Sequence, residues 1–131
     1  MTVITDLWSG EVVHHDGPAY RVDGLQFLPR PVQRPRIPIW VAAQSVHQAP
    51  QRRAARYDGL CPEASPDELV DMLAIIAEHR GDLNGFAVAV AAPTDRERDA
   101  YETAGATWWL AELPMLCTKA EAITRVRRGP G

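Results

Sequence analysis

The feature that most constrains the fold of this chain is a repeated pattern. A short apolar run followed by a helix pattern occurs four times over residues 37–131. Short runs rich in β-branched and aromatic residues predict strands, and their regular alternation with helices is typical of a parallel sheet joined by right-handed crossovers. The sequence therefore predicts an α/β fold of four parallel strand–helix (βα) units. The four apolar runs centre on residues 39–41, 60–61, 86–92 and 106–111.

The clearest signals for helix starts are capping boxes. In a capping box, a Ser or Thr hydroxyl accepts a hydrogen bond from the backbone N–H three residues later, and the Glu side chain at that later position accepts one from the backbone N–H of the Ser or Thr. An apolar stripe at Leu69, Met72, Leu73 and Ile76 marks the core face of the second helix. For the first helix we expect a start near Pro50, because a start at Ser45 would place that proline inside the helix. The three boxes are Ser65-Pro66-Asp67-Glu68, Thr94-Asp95-Arg96-Glu97 and Thr118-Lys119-Ala120-Glu121.

The first strand–helix junction is the main candidate for ligand binding. Residues 39–41 predict a short strand that is buried on both faces, and a loop to the helix follows. Helix N-termini after parallel strands hold phosphate, because their N–H groups point outward and carry partial positive charge. The bland alternative is a loop that only connects the two elements, since it contains no glycine that lets a ligand approach closely. The candidate loop consists of Ala42, Ala43, Gln44 and Ser45.

An opening segment over residues 1–36 precedes the βα units, and we expect the whole chain, 1–131, to form one domain. Residues 2–9 predict a helix end, and residues 12–27 predict a β-hairpin-like insertion with Asp-Gly turn signals. Residues 29–38 contain four prolines and three arginines, which excludes a helix or a central strand. We interpret this stretch as a stiff surface connector; a polyproline ligand for an aromatic groove is the alternative.

Composition narrows the class of protein. A net charge of −3 argues against nucleic acid as the main partner. No apolar run is long enough to cross a bilayer, and residues 1–6 lack the features of a signal peptide. Two cysteines do not form a disulfide framework, so we expect a reducing cytoplasm.

Other chemically capable side chains form no convincing motif. The four histidines and two cysteines lack metal-ligand spacing, so we expect no metal site. The two thiols lie near the ends of predicted strands, and we expect them to be buried or unreactive. We expect the acidic residues of the nearby loops to be solvated rather than catalytic. Two adjacent tryptophans are expected to pack in the core on opposite faces of the sheet. These residues are His14, His15, His47, His79, Cys61, Cys117, Glu63, Glu112, Trp108 and Trp109.

Several short motifs, in order and over nearly the whole chain, resemble the C-terminal half of luciferase-like monooxygenases. They are Leu7-Trp8-Ser9-Gly10-Glu11, Tyr20-Arg21-Val22, Phe27-Leu28-Pro29-Arg30-Pro31-Val32-Gln33, Ile37-Pro38-Ile39-Trp40-Val41, Arg53-Ala54-Ala55-Arg56, Asp58-Gly59 and Gly105-Ala106-Thr107-Trp108-Trp109-Leu110.

The resemblance implies a TIM-barrel oxidoreductase that uses reduced flavin mononucleotide (FMN) or the deazaflavin F420 on a small organic substrate. It places the cofactor phosphate at Ala42, Ala43, Gln44 and Ser45, where the family usually has Gly-Gly at the first two positions. A full barrel has eight βα units. With four units, the chain is expected to be a partial (half) barrel that is completed as a homodimer or by an N-terminal half-barrel partner.

Two further hypotheses compete with this one. The chain is a non-catalytic truncated remnant or binding module without flavin, or it is an interaction protein that acts through its proline-rich, basic segment. A yellow dimer on purification supports the enzyme, a colourless chain supports the remnant, and a partner lost on changing Pro35 and Pro38 supports the third hypothesis.

Overall fold

The computed structural model describes residues 2–44, 47–91, 95–110, 113 and 115–129, with only the backbone at residues 95 and 96. The chain divides into two compact units, Met1–Pro38 and Ile39–Gly131. Each unit is described by itself below.

The first unit is a short helix with a two-stranded antiparallel sheet. Helix α1 spans Thr2–Leu7, and strands β1 (Val13–Asp16) and β2 (Arg21–Leu25) pair in antiparallel fashion. Its small core consists of Val3, Leu7 and Val13, with Val22 packed against it. The predicted helix end and hairpin are thereby confirmed. The proline-rich stretch that follows has neither helix nor strand, bends at residues 32–35 and is mostly exposed, with cis peptide bonds at Leu28-Pro29 and Arg34-Pro35.

The second unit is a four-stranded parallel sheet in which strands alternate with helices. The sheet order is β3-β4-β5-β6, and each neighbouring pair is parallel. This confirms the predicted α/β fold and is the arrangement of part of a TIM barrel. Its elements are β3 (Trp40–Gln44), α2 (Gln48–Ala54), β4 (Gly59–Glu63), α3 (Pro66–Arg80), β5 (Ala87–Val90), α4 (Asp95–Thr103), β6 (Trp108–Trp109) and α5 (Lys119–Arg128).

The sheet register sorts side chains onto two faces. Val41, Leu60 and Val88 are matched across β3, β4 and β5, and all three are buried. Residues matched across parallel strands point the same way, and the next residue along each strand points the other way. The main core therefore lies between one sheet face and the helices. It contains Val41, Ala43, Ala54, Ala55, Leu60, Leu69, Met72, Leu73, Ile76, Phe86, Val88, Val90 and Ala106.

Helix α3 forms as its sequence predicts. Ser65 accepts a hydrogen bond from the Glu68 backbone N–H, Glu68 accepts from the Ser65 backbone N–H at 2.7 Å, and the four residues of the apolar stripe are buried. The box at Thr118 is also confirmed: hydrogen bonds donated by the Thr118 backbone and hydroxyl lower the pKa of the exposed Glu121 carboxyl. The box predicted at Thr94 lies outside the described residues.

Two predictions about the first strand–helix junction are wrong. Ala42, Ala43 and Gln44 belong to strand β3 rather than to a loop, because they continue the ladder opposite residues 61–63 of β4. The strand is also buried on one face only, with Ala42 and Gln44 exposed.

The first helix also begins earlier than predicted. Helix α2 starts at Gln48, so Pro50 lies within its first turn, where a missing N–H costs little.

Candidate functional site

The sheet face opposite helices α2 and α3 is the candidate site, and we call it the open face. Its tryptophan rings, Trp40 on β3 and Trp108 on β6, lie with centroids 5.4 Å apart at an interplanar angle of 56°. Trp108 is 55% exposed, so the prediction that core packing accounts for it is wrong, whereas Trp109 packs against the helix-side core as predicted. The open face consists of Trp40, Ala42, Gln44, Gly59, Cys61, Glu63, Ala87, Ala89 and Trp108.

Small residues between the two tryptophans let their rings lie close to the sheet. A Cβ atom at Gly59 would lie 2.6 Å from the Ala87 carbonyl oxygen and 2.7 Å from Trp40 Cδ1. These distances are shorter than van der Waals contact, so only glycine fits at this position. The Trp40 indole therefore lies directly over Gly59 and contacts Trp108 above the small residues of the sheet.

Polar side chains gather where β3 and β4 end. The Gln44 side-chain amide donates from Nε2 to Glu63 Oε2 at 3.0 Å, which joins the carboxyl ends of the two strands. Cys61 lies two residues before Glu63 on the same face, and burial raises the pKa of its thiol. The thiol therefore stays protonated and is a poor nucleophile at neutral pH.

The four residues predicted to hold a cofactor phosphate do not share one environment. The side chain of Ala42 is exposed on the open face, Ala43 is buried in the helix-side core, and Gln44 is bonded to Glu63 at the edge of the sheet. Ser45 lies outside the described residues. A carboxylate at this edge repels a phosphate, so the described side chains of the junction oppose an anion there.

Two of the histidines considered in the sequence lie in the first unit. Of the histidines, His14 is exposed and hydrogen-bonds through Nδ1 to Asp23 Oδ1 at 2.8 Å, and His15 stacks on Tyr20. Glu112, the proposed partner of Glu63, lies outside the described residues.

Metal and membrane features are absent from the part of the chain that the structure describes. No group of three or more His, Cys, Asp or Glu side chains there could hold a metal ion. Among the helices of the same described ranges, none is both long and apolar enough to span a bilayer.

The tryptophan pair was missed by sequence reasoning. Its signal is the alternation Trp40, Ala42, Gln44, in which each residue points away from the helices, as a period of two requires. A short apolar run favours the prediction of a strand that is buried on both faces, so the alternation of exposed and buried residues along β3 was not recognised.

The raised pKa of Cys61 gives a testable expectation. Alkylation of Cys61 by iodoacetamide at pH 7 is expected to be slower than that of free cysteine, because less of the thiol is ionised. The rate is expected to keep rising with pH above the value at which free cysteine levels off. Mass spectrometry of peptides containing Cys61 follows the reaction, with Cys61→Ser as the control that leaves only Cys117. Alkylation as fast as free cysteine at pH 7 would contradict the expectation.

The comparison with known families matches this geometry. The family described as luciferase-like monooxygenase matches residues 1–128 of the 131-residue chain. No curated protein sequence matches the chain. The family match covers almost the whole chain and agrees with a parallel sheet whose strands alternate with helices. This protein therefore belongs to the luciferase-like monooxygenase family.

Proposed function

We propose that this chain forms part of a flavin-dependent oxidoreductase of the monooxygenase type, using FMN or F420 on a small organic substrate. The observation that carries the proposal is the family match over residues 1–128. The family is generally flavin- or F420-dependent. The cofactor, when bound, supplies the redox chemistry, and this chain supplies the surface that binds and orients it.

The open face supports this proposal by its shape and chemistry. Ligands of barrel enzymes bind at the carboxyl ends of the parallel strands. At these ends the open face presents Gln44 and Glu63, with Ala42 exposed beside them. Trp40 begins β3 and lies against Trp108, so their aromatic surface lies further along the same face, towards the amino end of β3. A flat aromatic ring system of the flavin kind gains dispersion and stacking on such a surface.

The phosphate end of the cofactor is proposed to lie where strand β3 ends. Ala42, Ala43, Gln44 and Ser45 are still proposed as its neighbours, through backbone groups rather than through side chains. The Glu63 carboxylate, 3.0 Å from the Gln44 amide, opposes an anion at the strand ends. We therefore expect the open face to bind riboflavin, which has no phosphate, at least as tightly as FMN, and the part of the binding that Ala42→Glu removes measures this.

We further propose that the barrel is completed by another polypeptide, either a second copy or an N-terminal half-barrel, in the cytoplasm. A complete barrel has eight strands, and four parallel strands are described here. Trp108, exposed at the edge strand β6, is apolar surface that further strands would cover. The net charge of −3 and the absence of a spanning helix in the described ranges give no support for nucleic acid or a membrane as partner.

Flavin binding and mass in solution test the proposal together. The purified chain is measured by light scattering and by quenching of FMN, riboflavin and F420 fluorescence. Ala42→Glu places a charge on the open face and is expected to weaken flavin binding at least tenfold. Ala120→Glu, the same change at an exposed position of α5, is the matched control and is expected to bind as the unchanged chain does.

The outcomes separate the two hypotheses about function. Flavin binding that is lost only in Ala42→Glu supports the oxidoreductase, and a dimeric mass identifies a second copy as the partner. A folded chain that quenches none of the three flavins, alone or in the dimer, contradicts the proposal and leaves the non-catalytic binding module.

A further inference from the structure

Two cavities adjoin in the first unit, and they differ in chemistry. One has a volume of about 490 Å³ and the other about 270 Å³. They share Trp8, Arg30 and Pro31 as a common wall. Every residue that lines either cavity belongs to Met1–Pro38, so neither cavity uses the sheet of the second unit.

The smaller cavity, which we call the basic cavity, presents arginines and hydroxyls. Arg30, Arg34 and Arg36 line it together with Thr5 and Ser9. Among its described lining residues, none is acidic. This local charge stands out, because residues 24–38 contain three arginines and no Asp or Glu in a chain with a net charge of −3. Guanidinium groups pair with phosphate or carboxylate oxygens through two parallel N–H donors, and a cluster of three arginines favours the more highly charged phosphate monoester dianion over a carboxylate.

The arginines are held in place by backbone contacts. Arg34 donates from Nη1 to the carbonyl oxygens of Pro31 at 2.6 Å and Gln33 at 3.0 Å. These bonds fix the side chain through one nitrogen, and a guanidinium also carries donors on Nε and Nη2. Arg36 donates from Nη1 to the Ile37 carbonyl at 3.0 Å. The stiff proline-rich chain therefore keeps its charges ordered before any ligand binds.

Arg30 is positioned by a glycine. Gly10 has φ +77°, and a Cβ there would overlap Cγ and Cδ of Arg30, so the arginine stem lies directly on the Gly10 backbone. Beside it, Ser9 Oγ accepts from the Glu11 backbone N–H at 3.0 Å. A serine hydroxyl that accepts one bond can still donate its own hydrogen. The short turn after α1 thus contributes the Ser9 hydroxyl, and its Gly10 backbone supports the Arg30 side chain.

The larger cavity, which we call the apolar cavity, is lined mainly by Leu7, Trp8, Phe27, Leu28 and Ile37. Phe27 is 48% exposed and Leu28 is 67% exposed, although both are large apolar side chains. The one amide in its wall, on Gln26, donates to the Gly10 carbonyl at 2.8 Å. An apolar recess of this size fits the body of a small organic molecule.

We propose that the two cavities together bind a soluble amphiphilic phosphate monoester, with the phosphate in the basic cavity and the apolar body in the apolar cavity. The shared wall of Trp8, Arg30 and Pro31 places the two halves of such a ligand side by side. Charge complementarity selects the anion, and the adjoining apolar surface selects an ester over inorganic phosphate. The proposal uses residues of the first unit alone and does not rest on the proposed function.

Calorimetric titration of the purified chain with three probes tests both halves of the site. The probes are hexyl phosphate, inorganic phosphate and 1-hexanol. Hexyl phosphate is expected to bind at least tenfold more tightly than either of the other two. Hexanoate, with the same apolar body and a single negative charge, is expected to bind more weakly than hexyl phosphate.

Variants on exposed side chains assign the contacts. Arg34→Gln is expected to weaken hexyl phosphate binding at least tenfold, and Phe27→Ala is expected to weaken hexyl phosphate but not inorganic phosphate. Arg125→Gln and Val126→Ala on α5, both exposed, are the matched controls and are expected to change nothing.

Several results would overturn the proposal. They are no binding of hexyl phosphate at millimolar concentration, equal binding of hexyl and inorganic phosphate, and an equal loss in Arg34→Gln and Arg125→Gln. Binding only to vesicles that contain phosphatidic acid, or only to a single-stranded oligonucleotide, would replace the small ligand with a macromolecular surface. Because these titrations contain no flavin, their failure leaves the proposed oxidoreductase untouched.

Discussion

Replacing Leu60 with alanine is expected to lower the free energy of unfolding by about 3 kcal/mol. Leu60 is fully buried, lies on the central strand β4, and is matched to Val41 on one side and Val88 on the other. Its removal leaves a cavity at the centre of the helix-side core, which neighbouring strands cannot fill by moving without breaking their ladders. Urea unfolding followed by circular dichroism measures the loss.

The matched control for this change is Leu116→Ala. Leu116 is 93% exposed, so the same chemical change there is expected to alter the free energy of unfolding by less than about 0.5 kcal/mol. A loss at Leu60 no larger than the loss at Leu116 would mean that β4 is not central to the core, and the sheet order would then be wrong.

The position of Leu60 illustrates what could be predicted from the sequence. The alternation of apolar runs and helices predicts parallel order, and the stripe on α3 identifies the helix face that covers β4. Both signals are local: a capping box and a stripe depend on residues within a few positions of one another. For the same reason the box at Ser65 predicts the start of α3 correctly.

The candidate site was harder to predict because its contacts join distant residues. Gln44 contacts Glu63 across 19 residues, and Trp40 contacts Trp108 across the two strands between β3 and β6. Both contacts depend on strand register, which short runs of similar residues do not specify. The exposure of Trp108 is also unpredictable from composition, because aromatic residues usually indicate a core.

The prediction of where β3 ends was wrong for a related reason. Ala42, Ala43 and Gln44 have modest strand propensity, so the sequence indicates a loop where the pairing with β4 continues the strand. Pairing with β4 therefore determines that these three residues form a strand rather than a loop. It also moves Ala42, Ala43 and Gln44 from a predicted loop to a paired strand.

Replacing Gly59 with valine is the second large change that we expect to be destabilising, by about 2 to 3 kcal/mol. Valine is a good strand residue, so secondary-structure propensity alone predicts no loss. The loss arises because a Cβ at this position would lie 2.6 Å from the Ala87 carbonyl oxygen, and backbone atoms of a paired strand cannot move aside cheaply. The same atom would lie 2.7 Å from Trp40 Cδ1 and would push the indole off the sheet.

This displacement gives the Gly59 variant a signature that ordinary destabilisation lacks. Moving Trp40 separates it from Trp108, whose ring centroid is 5.4 Å away, so the near-ultraviolet circular dichroism of the pair is expected to weaken in the folded variant. Ala42→Val is the matched control: it adds valine to the same face at an exposed position of β3 and is expected to leave both the unfolding free energy and the spectrum unchanged. If Gly59→Val unfolds at the same urea concentration as the unchanged chain and keeps its spectrum, then the open face is not packed tightly around Gly59. The position of the tryptophan pair would then not depend on Gly59, and the open face would no longer support the proposal that a flat ligand binds there.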